Sequence, residues 1–272
     1  MAAGAGGREA QLAYSEQMAA MRDEAGRRRK AAKILAVLRH VRGVDDLSGL
    51  TVADVGCSQG FIADEMAGAG ASRTYGVDID VPGLRVAQSR FGERVQFVCS
   101  AGEALPFPDA SVDVAIFNHI YEHVVDPDAV IADVKRVLKP DGVLYLGLGN
   151  RLGIMEPHYK LPFLSWLPQG PADRYVRAFG RADSYYEQYR TRWGLATMLA
   201  GWHVLDYTLP VLGDPSAFAG DDMVPGLVSR LPEKALAATI PLVPTYIWVA
   251  SPSALTPAGP ALRIAPRVVA TP

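Results

Sequence analysis

Little in this sequence points to a disulfide, a metal ion or a polyanion. Only two cysteines, Cys57 and Cys99, occur in 272 residues. Two thiols make no disulfide framework, and no C-x-x-C spacing is present. No metal site is therefore expected, and a reducing, cytoplasmic setting is. Charge of one sign is also missing. Lys and Arg number 27 against 29 Asp and Glu, a net charge of -2. Without a basic field to hold a polyanion, nucleic acid is not an expected partner. No apolar run suits a bilayer span, because the longest, 235–250, is short and interrupted by Pro241 and Pro244. The stretch 1–7 is small and flexible, and the polar residues after it do not read as a secretion signal. The dinucleotide pattern G-x-G-x-x-G is absent too. Counting from Gly56, Ser58 and Phe61 stand where the second and third glycines belong, which argues against a dehydrogenase.

Apolar residues are plentiful, at 49% of the chain, enough for the core of one large α/β domain. Residues 1–45 read as a helical lead-in. Its basic run Arg27-Arg28-Arg29-Lys30 suits a solvated helix end, and Ile34, Val37, Leu38 and Val41 recur at helical spacing. From 46 to 251 short apolar strands alternate with helices, at 50–55, 75–78, 95–99, 112–117, 143–148, 202–209 and 245–250. The helix after the fourth strand starts with Asp126 capping and Pro127 at its first position. Such alternation predicts a Rossmann-like, doubly wound, mostly parallel sheet. The insertion 151–195 breaks the rhythm with nine aromatics: Tyr159, Phe163, Trp166, Tyr175, Phe179, Tyr185, Tyr186, Tyr189 and Trp193. After the fifth strand it falls over the carboxyl edge of the sheet, where ligands bind in such folds. The Pro- and Ala-rich tail 252–272 is expected to be disordered.

Asp54-Val-Gly-Cys-Ser-Gln-Gly60 forms a tight turn between a strand and a helix. Small residues there let the backbone approach a ligand closely. Asp54 at the strand end can face an ammonium, and turn amides can take a carboxylate. Asp78 ends the next strand, about twenty residues on, where a carboxylate can accept both ribose hydroxyls. The plainer reading of Asp78 is a helix cap, a task for which Asp80 is better placed.

The segments VADVGCSQGFIADEMA, YGVDID, ALPFPDASVDVAIFNHIYEHVVDPDAVIADVKRVLKPDGVLYL and PTYIWV carry a resemblance. The chain resembles the class I S-adenosylmethionine-dependent methyltransferases of the type 11 branch, over roughly residues 50–150 with a weaker echo to 250. That resemblance implies seven strands with the last antiparallel, S-adenosylmethionine as cofactor, and a small-molecule acceptor. It places Asp54, Gly56, Cys57, Ser58 and Gly60 around the methionine moiety. Asp78 and Ile79 fall at the ribose and adenine edge. Ala101, Gly102 and Glu103 pass the adenine, and Asn118 lies beside the methionine part. Ser58 departs from a usual Gly. Ala101 departs from a usual Asp that accepts from the adenine amino group, so Glu103 or water must serve instead.

Methyl transfer to oxygen needs a proton acceptor, and His is the side chain suited to it near neutral pH. Of five histidines, His158 at the head of the insertion is the first candidate base and His119, after the fourth strand, the second. His123, in YEHV, reads as structural. The insertion is expected to act as an acceptor lid over a partly apolar or aromatic metabolite, with Arg151, Lys160, Arg174 or Arg177 available to an anionic group. O-methylation is the first expectation. C- or N-methylation of a natural product or lipid, or a binding scaffold that has lost transfer, are the alternatives. Membrane contact is not the expectation, but 161–167 is the stretch that could dip into a bilayer surface.

Overall fold

The computed structural model describes residues 23–221 and 226–272, together with Leu12 and Ser15. Apart from those two, the lead-in 1–22 lies outside the described residues. Helix α1 (Glu24–Arg42) opens at Asp23, whose carboxylate accepts the Gly26 N–H, and closes at Gly43 in the left-handed conformation. Its buried stripe, Ile34, Val37, Leu38 and Val41, packs with Ile62 and Met66 of α2 (Phe61–Gly68) on one face of the sheet.

The strands are β1 (Thr51–Val55), β2 (Arg73–Asp78), β3 (Gln96–Cys99), β4 (Val112–Asn118) and β5 (Leu138–Gly149), joined in order as the main sheet is built outward from its centre. Helix α3 (Val81–Phe91) joins β2 to β3 and α4 (Pro127–Val137) joins β4 to β5. All pairings among these five strands are parallel. Every residue of β4 is buried, and its side chains alternate between two cores. Val114 and Ile116 pack beneath α1, while Ala115 and Phe117 face Val130, Ile131 and Val134 of α4. A strand covered on both faces is mainly apolar, which is why Val114–Phe117 reads as one run in the sequence; Asp113, before that run, is tied to the Thr51 N–H and to Lys139.

After β5 comes the insertion. It contains a hairpin of β6 (Met155–Glu156) and β7 (Leu161–Pro162), then α5 (Gln169–Ala178). Helix α6 (Arg192–Met198) leads into β8 (His203–Asp206), and β9 (Thr245–Ser251) pairs antiparallel with both β5 and β8. The Rossmann-like α/β class expected from the sequence is the one observed.

Two details differ from expectation. The strand expected over 202–209 stops at Asp206, because its carboxylate accepts the Thr208 N–H at 2.8 Å and turns the chain into a short helix, α7 (Thr208–Gly213). The tail 252–272 is ordered rather than disordered. Residues Arg267–Val269 form β10, antiparallel to β8, so the sheet has eight strands in the order β10-β8-β9-β5-β4-β1-β2-β3. Left alone, β8 would offer an open row of backbone donors and acceptors, and pairing it satisfies them. Ile264 is buried beside Leu209, and Arg263 donates to the Gly213 and Ser229 carbonyls. These contacts outweigh the loop-like composition.

Candidate active site

Parallel pairing sets the carboxyl ends of β1, β2, β3 and β4 along one edge of the sheet, the crevice where ligands bind in such folds. At its floor the chain leaves β1 through Gly56 (φ 81°), Ser58 (φ 49°) and Gly60 (φ 79°), all left-handed. A side chain on Gly56 would meet Ile120 Cδ1 at 2.5 Å, and one on Gly60 would meet Phe97 Cζ at 2.7 Å. Glycine is required at both positions by conformation and by space. Ser58 adopts the same conformation without that freedom, and its Oγ is buried without a hydrogen-bond partner among the described residues. Ser58→Gly is therefore expected to stabilise the chain by about 1 kcal/mol, and Ser58→Val to destabilise it. Thermal unfolding of the two variants checks the pair, and a lower midpoint for Ser58→Gly contradicts it.

Asp78 draws the turn together. Its Oδ2 accepts the Ser58 N–H at 2.7 Å, and its Oδ1 accepts the Asp80 N–H at 2.9 Å. Burial raises its pKa against the lowering effect of these backbone donors. The capping task falls to Asp80, which accepts from Gly83 N at the start of α3. Gly56 and Cys57 donate to the Val77 carbonyl, fixing the turn against β2. Cys57 is buried and its thiol is pushed up by desolvation, so it is a packing group rather than a thiolate. Ile79 and the loop of Ala101, Gly102 and Glu103 are half-buried at the ends of β2 and β3.

Buried polar atoms without a partner among the described residues collect here. They are Asp54 Oδ2, Ser58 Oγ and Asn118 Nδ2. Asp54 is 2% exposed, and burial pushes its pKa up to about 7, with Arg27 working the other way and Asp78 adding to the rise. A native fold seldom strands buried polar groups, so such a set calls for a ligand. An orphaned carboxylate oxygen suits an ammonium, and an orphaned amide N–H suits a carboxylate. The set fits the amino-acid end of S-adenosylmethionine.

A second cluster adjoins the first. Asn118 is followed by His119, left-handed at φ 57°, whose Nδ1 stands 3.5 Å from Glu122 Oε1. Glu122 is 1% exposed, and neither carboxylate oxygen has a hydrogen bond among the described residues. Burial opposes its ionisation, but His119 and His123 outweigh burial and lower its pKa. The hairpin turn 157–160 brings His158 to the same place. Its Nδ1 lies 2.8 Å from Glu156 Oε1 and 3.0 Å from Tyr189 Oη. Tyr189 Oη also donates to Glu156, whose other oxygen accepts the Tyr159 N–H. Burial alone would lower the His158 pKa; hydrogen bonding to Glu156 and the charges of Glu187, Glu156 and Glu122 raise it overall.

The two candidate bases thus share one cluster, since the charge of His158 is felt at His119, whose own pKa is lowered chiefly by burial. His123 belongs to it as well. Its ring stands edge-on to His158 at 5.0 Å, and burial depresses its pKa to about 4, so it is neutral at physiological pH. Sequence reasoning missed Glu122, Glu187 and the pairing of Glu156 with His158. The available signal was a glutamate inside YEHV, four residues after a largely apolar strand. The basic run on α1 also divides. Arg28 bridges Glu24, Asp64 and Glu65 away from the cleft, while Arg27 acts on Asp54 and Lys30 on Glu122.

The parallel sheet, the antiparallel β9 and the glycine turn at the end of β1 define a class I methyltransferase domain, a class whose cofactor is S-adenosylmethionine. Residues 53–146 match the family model described as "Methyltransferase domain", and the chain carries a domain of the type 11 branch of that class. It is similar to a ubiquinone biosynthesis O-methyltransferase of Idiomarina loihiensis, 35% identical over 136 residues, which are 46% of this chain and 54% of the relative. An uncharacterized methyltransferase of Mycolicibacterium vanbaalenii is 36% identical over 112 residues, 41% of this chain and 44% of the relative. Among solved structures, an S-adenosylmethionine-dependent methyltransferase from Mesorhizobium loti shares the fold with a TM-score of 0.53 and 19% identity, over 76% of this chain and 92% of that one. The chain spans about half the length of the curated relatives it matches.

Proposed function

We propose that this protein transfers the methyl group of S-adenosylmethionine to an oxygen of a small, partly apolar or aromatic metabolite, with His158 as the base. The observation that carries the proposal is the Glu156–His158 pair beside the orphaned polar atoms of the glycine turn. The sulfonium supplies an activated methyl group, so the protein's task is alignment and proton removal. Asp54 faces the ammonium end, Asn118 the carboxylate, and Asp78 the ribose hydroxyls. Ile79, Ala101, Gly102 and Glu103 flank the adenine. Glu156 holds His158 with its proton on Nδ1, which leaves Nε2 to take the acceptor's hydroxyl proton as the oxygen–carbon bond forms and the sulfur–carbon bond breaks. His119 is the second candidate for that role. Glu122, held ionised by His119 and His123, marks where an acceptor hydroxyl or N–H binds. The insertion 151–195 serves as a lid over this site: Tyr159 and Tyr185 pack in its own core with Leu161, Leu164 and Val176, and Tyr189 reaches Glu156 and His158.

Calorimetric titration with S-adenosylmethionine and S-adenosylhomocysteine tests the cofactor half, and no binding of either sinks it. Incubation with labelled donor and host extract tests transfer and names the acceptor. Binding without any labelled product favours the scaffold reading, which Ala101 supports by offering the adenine no acceptor side chain. Label on carbon or nitrogen favours the corresponding alternative.

Asp54 adds a pH dependence. Its folded pKa lies above the usual aspartate value, so the ligand-free fold loses this group's stabilising contribution as pH rises from about 4 to 7. The ammonium needs the ionised form. Affinity for S-adenosylmethionine should therefore rise about tenfold between pH 5.5 and 7 and then flatten, with a proton released on binding at the lower pH. Titration across that range checks it. Asp54→Asn should bind weakly at every pH, and a pH slope that survives in this variant assigns the effect elsewhere.

A further inference from the structure

The outer face of the insertion is apolar and basic, and the proposed reaction uses none of it. Leu152, Ile154, Met155, Phe163 and Trp166 are between 37% and 48% exposed. They form one patch. The Phe163 N–H donates to the Ile154 carbonyl, Trp166 Nε1 donates to the Gly153 carbonyl, and the Phe163 and Trp166 rings meet edge-on at 5.2 Å. Leu242, 41% exposed, lies alongside, because the Asn150 amide donates to the carbonyls of Pro241 and Val243. Of the nine aromatics of the insertion, Phe163, Trp166, Phe179, Tyr186 and Trp193 face outward rather than into a pocket.

Exposed charge on the hairpin that carries the patch, Arg151 and Lys160, is positive. Between 151 and 181 the cations are Arg151, Lys160, Arg174, Arg177 and Arg181, all exposed. The acids are Glu156, which is buried on His158, and Asp173, which is engaged by Gln169 and the Tyr185 N–H. The cations expected to hold an anionic part of the acceptor thus stand on the outside. In a chain whose net charge is -2, this segment is a local positive field.

We propose that this face docks on an anionic bilayer, with Phe163, Trp166, Ile154 and Met155 in the headgroup layer and Arg151 and Lys160 against lipid phosphates. Aromatic and aliphatic side chains ringed by cations suit that boundary, where apolar burial and attraction to anionic lipid add. A second copy of the chain is a poorer occupant. A two-fold contact through this patch sets Arg151 and Lys160 against their own counterparts, and the hairpin 151–162 has no exposed acid to offset the repulsion. The docked hairpin is the one whose turn carries His158, so a lipophilic acceptor would reach the base from the bilayer. That consequence alone rests on the transfer reaction proposed above.

Sedimentation of the full-length protein with vesicles tests the proposal. The protein should pellet with phosphatidylglycerol–phosphatidylcholine vesicles, bind pure phosphatidylcholine at least about tenfold more weakly, and lose affinity with salt. The double variant Phe163→Asp, Trp166→Asp should lose at least about tenfold on anionic vesicles, and Lys160→Glu should lose part of that. Circular dichroism and S-adenosylmethionine titration establish that the variants keep their fold. A wild-type protein that stays in the supernatant, or a folded double variant that pellets equally well, overturns the proposal. So does self-association abolished by the double variant without vesicle binding, which gives the face to a second copy. Vesicle binding by a protein that binds neither S-adenosylmethionine nor S-adenosylhomocysteine leaves the surface standing and removes the transfer reaction instead.

Discussion

Asp78→Asn will bind S-adenosylmethionine about tenfold to a hundredfold more weakly than the native chain. The range follows from losing one hydrogen bond to a charged acceptor together with part of the turn that shapes the cleft. The aspartate performs two tasks with one carboxylate. Its oxygens hold the Ser58 and Asp80 N–H groups, at 2.7 and 2.9 Å, and in the proposed pose the same carboxylate accepts the ribose hydroxyls. Asparagine keeps one acceptor and turns an NH2 toward the other donor, so one N–H must swing away. The two tasks separate by experiment. Calorimetry of the ligand gives the affinity, and thermal unfolding of the free protein gives the cost to the turn. Asp78→Ala should lose at least as much affinity, since it removes both acceptors. If Asp78→Asn binds S-adenosylmethionine like the native chain, the ribose is held elsewhere and the cofactor pose is wrong.

The parts of this molecule that were legible in its sequence are those fixed by neighbours along the chain. Strand β4 announces itself because burial on both faces leaves the run Val114–Phe117 wholly apolar. Helix α4 does so because Asp126 and Pro127 make a local start signal, and the Asp126 carboxylate accepts the Ala129 N–H. The glycine turn is equally local. What stayed hidden depends on residues far apart. Strand β10 exists because β8 would otherwise be an open edge, a fact absent from the composition of the tail. The end of β8 is set by one side chain, Asp206, turning back on Thr208. The cluster of Glu122, Glu156, His158 and Glu187 joins the turn after β4 to an insertion beginning some thirty residues later. No periodicity encodes that apposition. The aromatics of the insertion mislead for a related reason. Sequence shows that they are many but not which way each faces, and five of the nine face solvent.

His158 carries the other large effect, and its partner makes the claim specific. With the acceptor identified by labelling, His158→Gln should lower turnover by about 10²–10⁴-fold, the range of a lost general base, while S-adenosylmethionine affinity stays unchanged. Glutamine preserves bulk and a hydrogen bond to Glu156 but accepts no proton at the acceptor. The pH profile distinguishes a base from a packing residue. A base works in its neutral form, and the acids around His158 raise its pKa, so activity should climb with pH through a limb above the ordinary histidine value. Glu156→Gln withdraws the nearest carboxylate, 2.8 Å from Nδ1. The neutral ring is then favoured at lower pH, and the limb moves to the acid side even as turnover falls through lost alignment. For stability the sign is the same: a raised histidine pKa contributes stability below the unfolded value and loses it as pH climbs through the folded one. Glu156→Gln should flatten that part of the curve. A limb that stays in place in Glu156→Gln makes the glutamate a structural strut, and unaltered turnover in His158→Gln passes the role to His119.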